Sequence, residues 1–119
     1  MKTIQMRKES RQPVQLDVRS VDIPGYRAVT RDLSFTGAQL EYRSNSPLTP
    51  EPGQSLHFEV ALDGLFSRAA EGLARVAWVR RHGKTVRLGL TFERVGSYSR
   101  QLLDMFTNNS PEVLVRKVG

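Results

Sequence analysis

The chain has 119 residues, 39% hydrophobic and 25% charged, which bounds it to one globular domain with a single small core. No window approaches a membrane-spanning apolar run, the first residues are polar and basic, and cysteine is absent. These features argue against a spanning helix, a signal peptide, disulfides and thiolate catalysis, and the expected compartment is the cytoplasm. The net charge of +6 and a sequence pI near 10.3 point to an anionic partner.

Residues 1–13 read as a flexible basic leader holding Lys2, Arg7, Lys8 and Arg11, with Pro13 stopping any helix. Val14, Leu16 and Val18 then alternate with polar residues, the pattern of a half-buried strand, and Pro24-Gly25 marks a turn. A second strand is expected over Tyr26 to Leu33, broken by Gly37, and a third where Ala38, Leu40 and Tyr42 alternate with Gln39, Glu41 and Arg43. Ser44 to Gly53, with three prolines, is a loop.

Leu56, Phe58, Val60 and Leu62 form the clearest alternation, ending at the turn signal Asp63-Gly64. Leu73 to Arg81 is a long strand containing Trp78, His82-Gly83-Lys84 turns the chain, and Leu88, Leu90 and Phe92 alternate again. The pattern then changes. Gly96-Ser97 can cap a helix over about 97–108, with Tyr98, Leu102, Met105 and Phe106 at helical spacing and Asn108-Asn109 at its end. Glu112 to Val118 fits a short strand or an ordered tail equally well. The expected fold is mostly β, an antiparallel barrel or sandwich in residues 14–119 with one C-terminal helix acting as a lid.

The chemistry-bearing stretch is Arg31 to Ala38, which contains D-x-S-x-x-G as Asp32, Ser34 and Gly37. Upstream, Arg7 and Arg11 make R-x-x-x-R, a weak motif alone because arginine is so common here. In this order, and followed by Gly72 to Trp78, Arg87 to Phe92 and a helix, the two motifs resemble the PilZ family over about residues 6–106. The resemblance implies a six-stranded antiparallel β-barrel with a C-terminal helix. It also implies a receptor for cyclic di-GMP, with no cofactor and no catalysis, that passes second-messenger level to motility, exopolysaccharide or biofilm output through an effector protein.

The residue types suit that ligand. Arg7 and Arg11 offer donor forks for phosphate or for the O6/N7 edge of guanine; on an extended segment they face the same way, about 13 Å apart. Asp32, acceptor-only when ionised, suits the N1–H/N2–H edge, and Ser34 can bond either group. Gly37 is expected at positive φ, allowing close approach of the ligand. Lys8, Arg31, Trp78 and Arg80 are candidate secondary contacts, Trp78 first of all as packing. Related domains that take a stacked ligand pair tend to carry a further arginine just before R-x-x-x-R, where this chain has Met6.

Two other readings stand beside this one. A small basic barrel could bind RNA or single-stranded DNA, but that needs free aromatics; Phe58 and Phe92 fall on the apolar phase of their strands, leaving only Phe35 and Tyr26. A barrel of this type that has lost ligand binding would act by protein contacts alone, which the intact motif residues oppose. With two isolated histidines, His57 and His82, and no catalytic triad or phosphate loop, neither a metal site nor an enzyme is expected.

Overall fold

The structure, a computed structural model, describes residues 14–63 and 69–107. The leader with Arg7, Lys8 and Arg11, the glycine of the Asp63-Gly64 turn, the Asn108-Asn109 helix stop and the segment 112–118 lie outside the described residues. Among the described residues six strands, β1 (Asp17–Arg19), β2 (Arg27–Leu33), β3 (Gly37–Arg43), β4 (Ser55–Ala61), β5 (Ala69–His82) and β6 (Thr85–Val95), precede one helix, α1 (Ser97–Thr107). All neighbouring pairs are antiparallel and close a barrel in the order β1-β2-β3-β6-β5-β4.

Period-2 alternation is what closes it. Inward residues such as Val18, Leu40, Leu56, Val76 and Leu88 are all but fully buried, and the rings of Phe58 and Phe92 stack inside at 4.9 Å between centroids. Helix α1 adds the buried Leu103 to the same core, and the Ser99 hydroxyl accepts the Glu71 amide at 3.0 Å, fastening the helix to β5.

Several expectations shift. The first strand is shorter than its alternation suggests: Val14 and Leu16 pack on the core and the Leu16 carbonyl still accepts the Thr30 amide (2.9 Å), but the Thr30 hydroxyl takes the Leu16 amide (2.8 Å) and donates to the Val14 carbonyl (2.5 Å). Tyr26 belongs to the preceding turn, with φ at 63°, not to β2. Strand β5 starts at Ala69, where pairing with β4 holds small residues that carry little strand signal. The helix cap is Gly96, whose carbonyl accepts the Arg100 amide at 2.9 Å. Its buried stripe is Ser99, Leu103 and Thr107, while Tyr98 is 62% exposed.

Candidate functional site

Two β-bulges build the site. In β2, Thr30 pairs with Leu40 and Asp32 with Gln39, so Arg31 is the extra residue. Arg31 and Asp32 therefore both turn outward, and Leu33 returns to the core. In β5, Val76 pairs with Leu90 and Trp78 with Gly89, so Ala77 is extra and Trp78 turns outward while Val79 packs on the core. Bulges re-aim side chains in this way. Without them, strict alternation would send both Asp32 and Trp78 into the barrel.

The outcome is one row across the outer surface: Asp32 opposite Gln39, Gln39 opposite Gly89, Gly89 opposite Trp78. It crosses three strand spacings, about 14 Å. Because Gly89 lacks a side chain, the indole lies over its backbone; a β-carbon there would overlap the ring nitrogen. A shallow cavity of about 360 Å³ opens on this row between Thr36, Gln39, Trp78 and Thr91. The Arg80 guanidinium sits 5.1 Å from the Trp78 ring centroid.

The turn between β2 and β3 supports one end of the row. Ser34 is fully buried, and its hydroxyl accepts the amides of Thr36 (3.2 Å) and Gly37 (3.1 Å) while the Gly37 carbonyl accepts it at 3.2 Å. Gly37 requires a correction: it is not among the positive-φ glycines, which are Gly25, Gly53 and Gly83. It must be glycine because a β-carbon would overlap the Leu90 carbonyl, so the residue permits close approach of β6, not a left-handed turn. Phe35 is likewise not a free aromatic: it packs on the core, with the Arg100 guanidinium 4.8 Å above its ring.

The strand arginines sort by partner. Arg31 and Arg87 both reach Glu41, at 3.3 and 3.0 Å. Arg75 pairs with Glu93. Arg81 donates to the carbonyls of Ser44, Ser46 and Gly83, closing the 44–53 loop onto the barrel. Arg80 has no carboxylate partner among the described residues and remains beside the indole. Sequence reasoning missed Gln39, which looks like any outward strand residue, and Thr91. The glycine opposite Trp78 was the one available signal for the shelf.

Among the described residues no cluster of His, Cys, Asp or Glu could hold a metal ion, and no helix is long and apolar enough to cross a membrane. A stacking surface and hydroxyls lining one shallow groove, with a cation beside the indole and a carboxylate at the far end of the row, suit recognition of a flat anionic ligand with a polar edge.

Comparison with known proteins agrees with this architecture. The family model described as PilZ domain matches residues 5–109. Among solved structures, the Bacillus subtilis inhibitor of motility (MotI/DgrA) superposes with a TM-score of 0.69 at 18% identity, covering 93% of this chain. The chain spans only 50% of that protein's length. The PilZ domain of CeSA from a cellulose-synthesizing bacterium superposes with a TM-score of 0.51 at 19% identity, covering 82% of this chain and 93% of that one. No curated protein matches.

Proposed function

Because the chain belongs to the PilZ domain family, we propose that it is a receptor for cyclic di-GMP, binding the dinucleotide on the outer row from Asp32 to Trp78 and passing its level to an effector protein. The observation that carries this reading is the pair of bulges, which set an acceptor and an aromatic plane on one surface beside the D-x-S-x-x-G turn. In this reading Asp32 accepts from the guanine N1–H/N2–H edge, the indole offers a stacking face, and Arg80 supplies charge. Ser34 and Gly37 act by holding the turn and the β3–β6 contact that give the row its shape.

Arg7 and Arg11 complete the site. Val14 is tied to Thr30, one residue before the β2 bulge, so the leader joins the barrel two residues from Asp32. Arg11 is three residues upstream of Val14, a reach of up to about 10 Å, and Arg7 up to about 25 Å. Both lengths suffice to bring a guanidinium over a ligand on the row. The protein is a receptor and not a catalyst, and its output is motility, exopolysaccharide or biofilm formation. The motility-inhibitor relative favours the first.

Binding to RNA or single-stranded DNA is a weaker reading, since Phe58 and Phe92 are consumed in the core and Phe35 is covered. Calorimetric titration with cyclic di-GMP, beside GTP, cyclic GMP and a short RNA, is the direct test. Saturable binding of the cyclic dinucleotide alone is expected, and equal binding of the RNA would refute the assignment.

A further inference from the structure

A second cleft, about 540 Å³, opens where β1 meets β4. In the closed order of strands this seam is diametrically across the barrel from the β3–β6 seam that carries the dinucleotide row. The seam is short, because β1 meets β4 only at Val18↔Val60 and Arg19↔Glu59. Phe58 and Gly72 therefore line an opening, and Val21 (73% exposed) and Tyr26 (65% exposed) stand on its rim.

Tyr26 is held with φ at 63°, a conformation that costs a side-chain-bearing residue about 1 kcal/mol or more relative to glycine. Tyr26's own part in the turn is two backbone bonds, from its amide to the Ile23 carbonyl (2.9 Å) and from the Ser20 amide to its carbonyl (3.1 Å). Glycine would make the same bonds without strain. An exposed aromatic ring kept at such a position contributes nothing evident to the fold.

The charges on this face form a pattern. Arg27 is the register partner of Arg19, Arg19 of Glu59, and Glu59 of Glu71, so one outward row across four strands reads plus, plus, minus, minus. Among the described residues only the middle pair of this row closes, Arg19 to Glu59 at 2.9 Å. The outer positions put like charges side by side, an arrangement that destabilises a sheet taken alone. Turned by a two-fold rotation, the same row reads minus, minus, plus, plus. Two copies placed face to face thus set every cation over an anion, as an isologous contact requires. The row is also neutral on a chain of net charge +6, so it is where two such chains can approach with least repulsion.

We propose that this face joins two copies of the chain, each Tyr26 entering the other's cleft and each Arg27 meeting the other's Glu71. The contact lies away from the dinucleotide row and does not depend on that reading.

The test is sedimentation of the full chain between about 10 μM and about 1 mM, with cyclic di-GMP titrated in parallel. A reversible monomer–dimer equilibrium is expected. Tyr26→Gly should weaken it tenfold or more while leaving the melting temperature and dinucleotide affinity unreduced. Arg27→Glu and Glu71→Arg should each weaken it as much, and the two together should restore it. A chain that stays monomeric to about 1 mM overturns the proposal, as does a dimer that survives Tyr26→Gly, or a charge swap that fails to restore pairing. Loss of dinucleotide affinity in Tyr26→Gly would put the ring in the other site and overturn it equally.

Discussion

The indole of Trp78 rests on the bare backbone of Gly89, its register partner across β5 and β6. The absent side chain is thus a positive feature of the outer row, because it makes room for a flat shelf. Gly89→Ala should push the ring outward with little damage to the fold, since the atoms displaced belong to a side chain that can swing into solvent. Stacking on an aromatic shelf is worth about 1–3 kcal/mol, so dinucleotide affinity should fall at least several-fold. Trp78 is the chain's sole tryptophan, so its emission reports both the displacement and the titration. Unchanged affinity alongside a shifted emission would remove Trp78 from the site.

Arg7→Ala, Arg11→Ala and Asp32→Ala should each weaken cyclic di-GMP binding by roughly ten- to a hundredfold, the equivalent of about 1.5–3 kcal/mol for a charge-assisted bond. Circular dichroism should stay at wild type for all three, and because Asp32 also interacts within the chain and its Oδ1 is buried, the affinity of Asp32→Ala is read alongside its urea midpoint. Wild-type affinity in folded Arg11→Ala would remove that residue from the site.

Ser34→Ala should behave differently from these three. Its hydroxyl serves the Thr36 and Gly37 amides inside a buried turn, so removing it strands two donors. A loss of about 1–3 kcal/mol of stability is expected, read as a lower urea midpoint at unchanged slope. A variant as stable as wild type but unable to bind would instead make Ser34 a direct contact.

These contrasts mark how much could be read from the sequence. Alternation alone identified the strands around Leu40, Phe58 and Leu88, because every second residue there is buried. The D-x-S-x-x-G spacing identified the turn. It could not say that Ser34 faces inward, because serine is compatible with turn capping and with ligand contact alike. Nor could alternation show that Asp32 and Trp78 share a face. Each follows a bulge, and a single extra residue inverts the phase of everything after it. The short β1 was illegible for a related reason, since a threonine hydroxyl stands in for part of the ladder there.

Alkaline stability should be governed in part by Tyr42. Burial raises its pKa above the ordinary 10.0, partly offset by the positive charge of Arg81. The unfolded chain ionises this phenol first, so the stability it contributes is intact below about pH 10 and is lost as pH rises through the folded-state value. The hydroxyl is buried with no hydrogen-bond partner among the described residues. Tyr42→Phe should therefore leave neutral-pH stability within about 1 kcal/mol of wild type, or raise it, and should flatten the decline above pH 10. Urea midpoints at pH 7 and pH 11 would measure both effects, and a large loss at pH 7 would mean that the hydroxyl is satisfied.

The last expectation concerns stoichiometry: one cyclic di-GMP per chain. A stacked pair of ligands brings four phosphates, twice the negative charge to be matched. The position before R-x-x-x-R is Met6, which has neither charge nor donor fork, and Lys8, adjacent to Arg7, would face away from it were the segment extended. The barrel would have to supply the remaining cations, and most of its candidates are engaged. Arg31 and Arg87 share Glu41, Arg75 is held by Glu93, and Arg81 is bound to three carbonyls. Exposed ion pairs of this kind hold only weakly, so a ligand could compete for Arg31 or Arg87, but each capture would strand part of the charge on Glu41. Arg80, stacked on the indole, is the one strand arginine of this group without such a commitment. Two leader arginines and Arg80 are three cations, enough for the two phosphates of a single ligand and short of the four of a pair. Calorimetry should therefore saturate at one per chain, and Met6→Arg should move the ratio toward two. Saturation of the wild-type chain at two would show that the Glu41 pairs open on binding, and Met6→Arg would then change little.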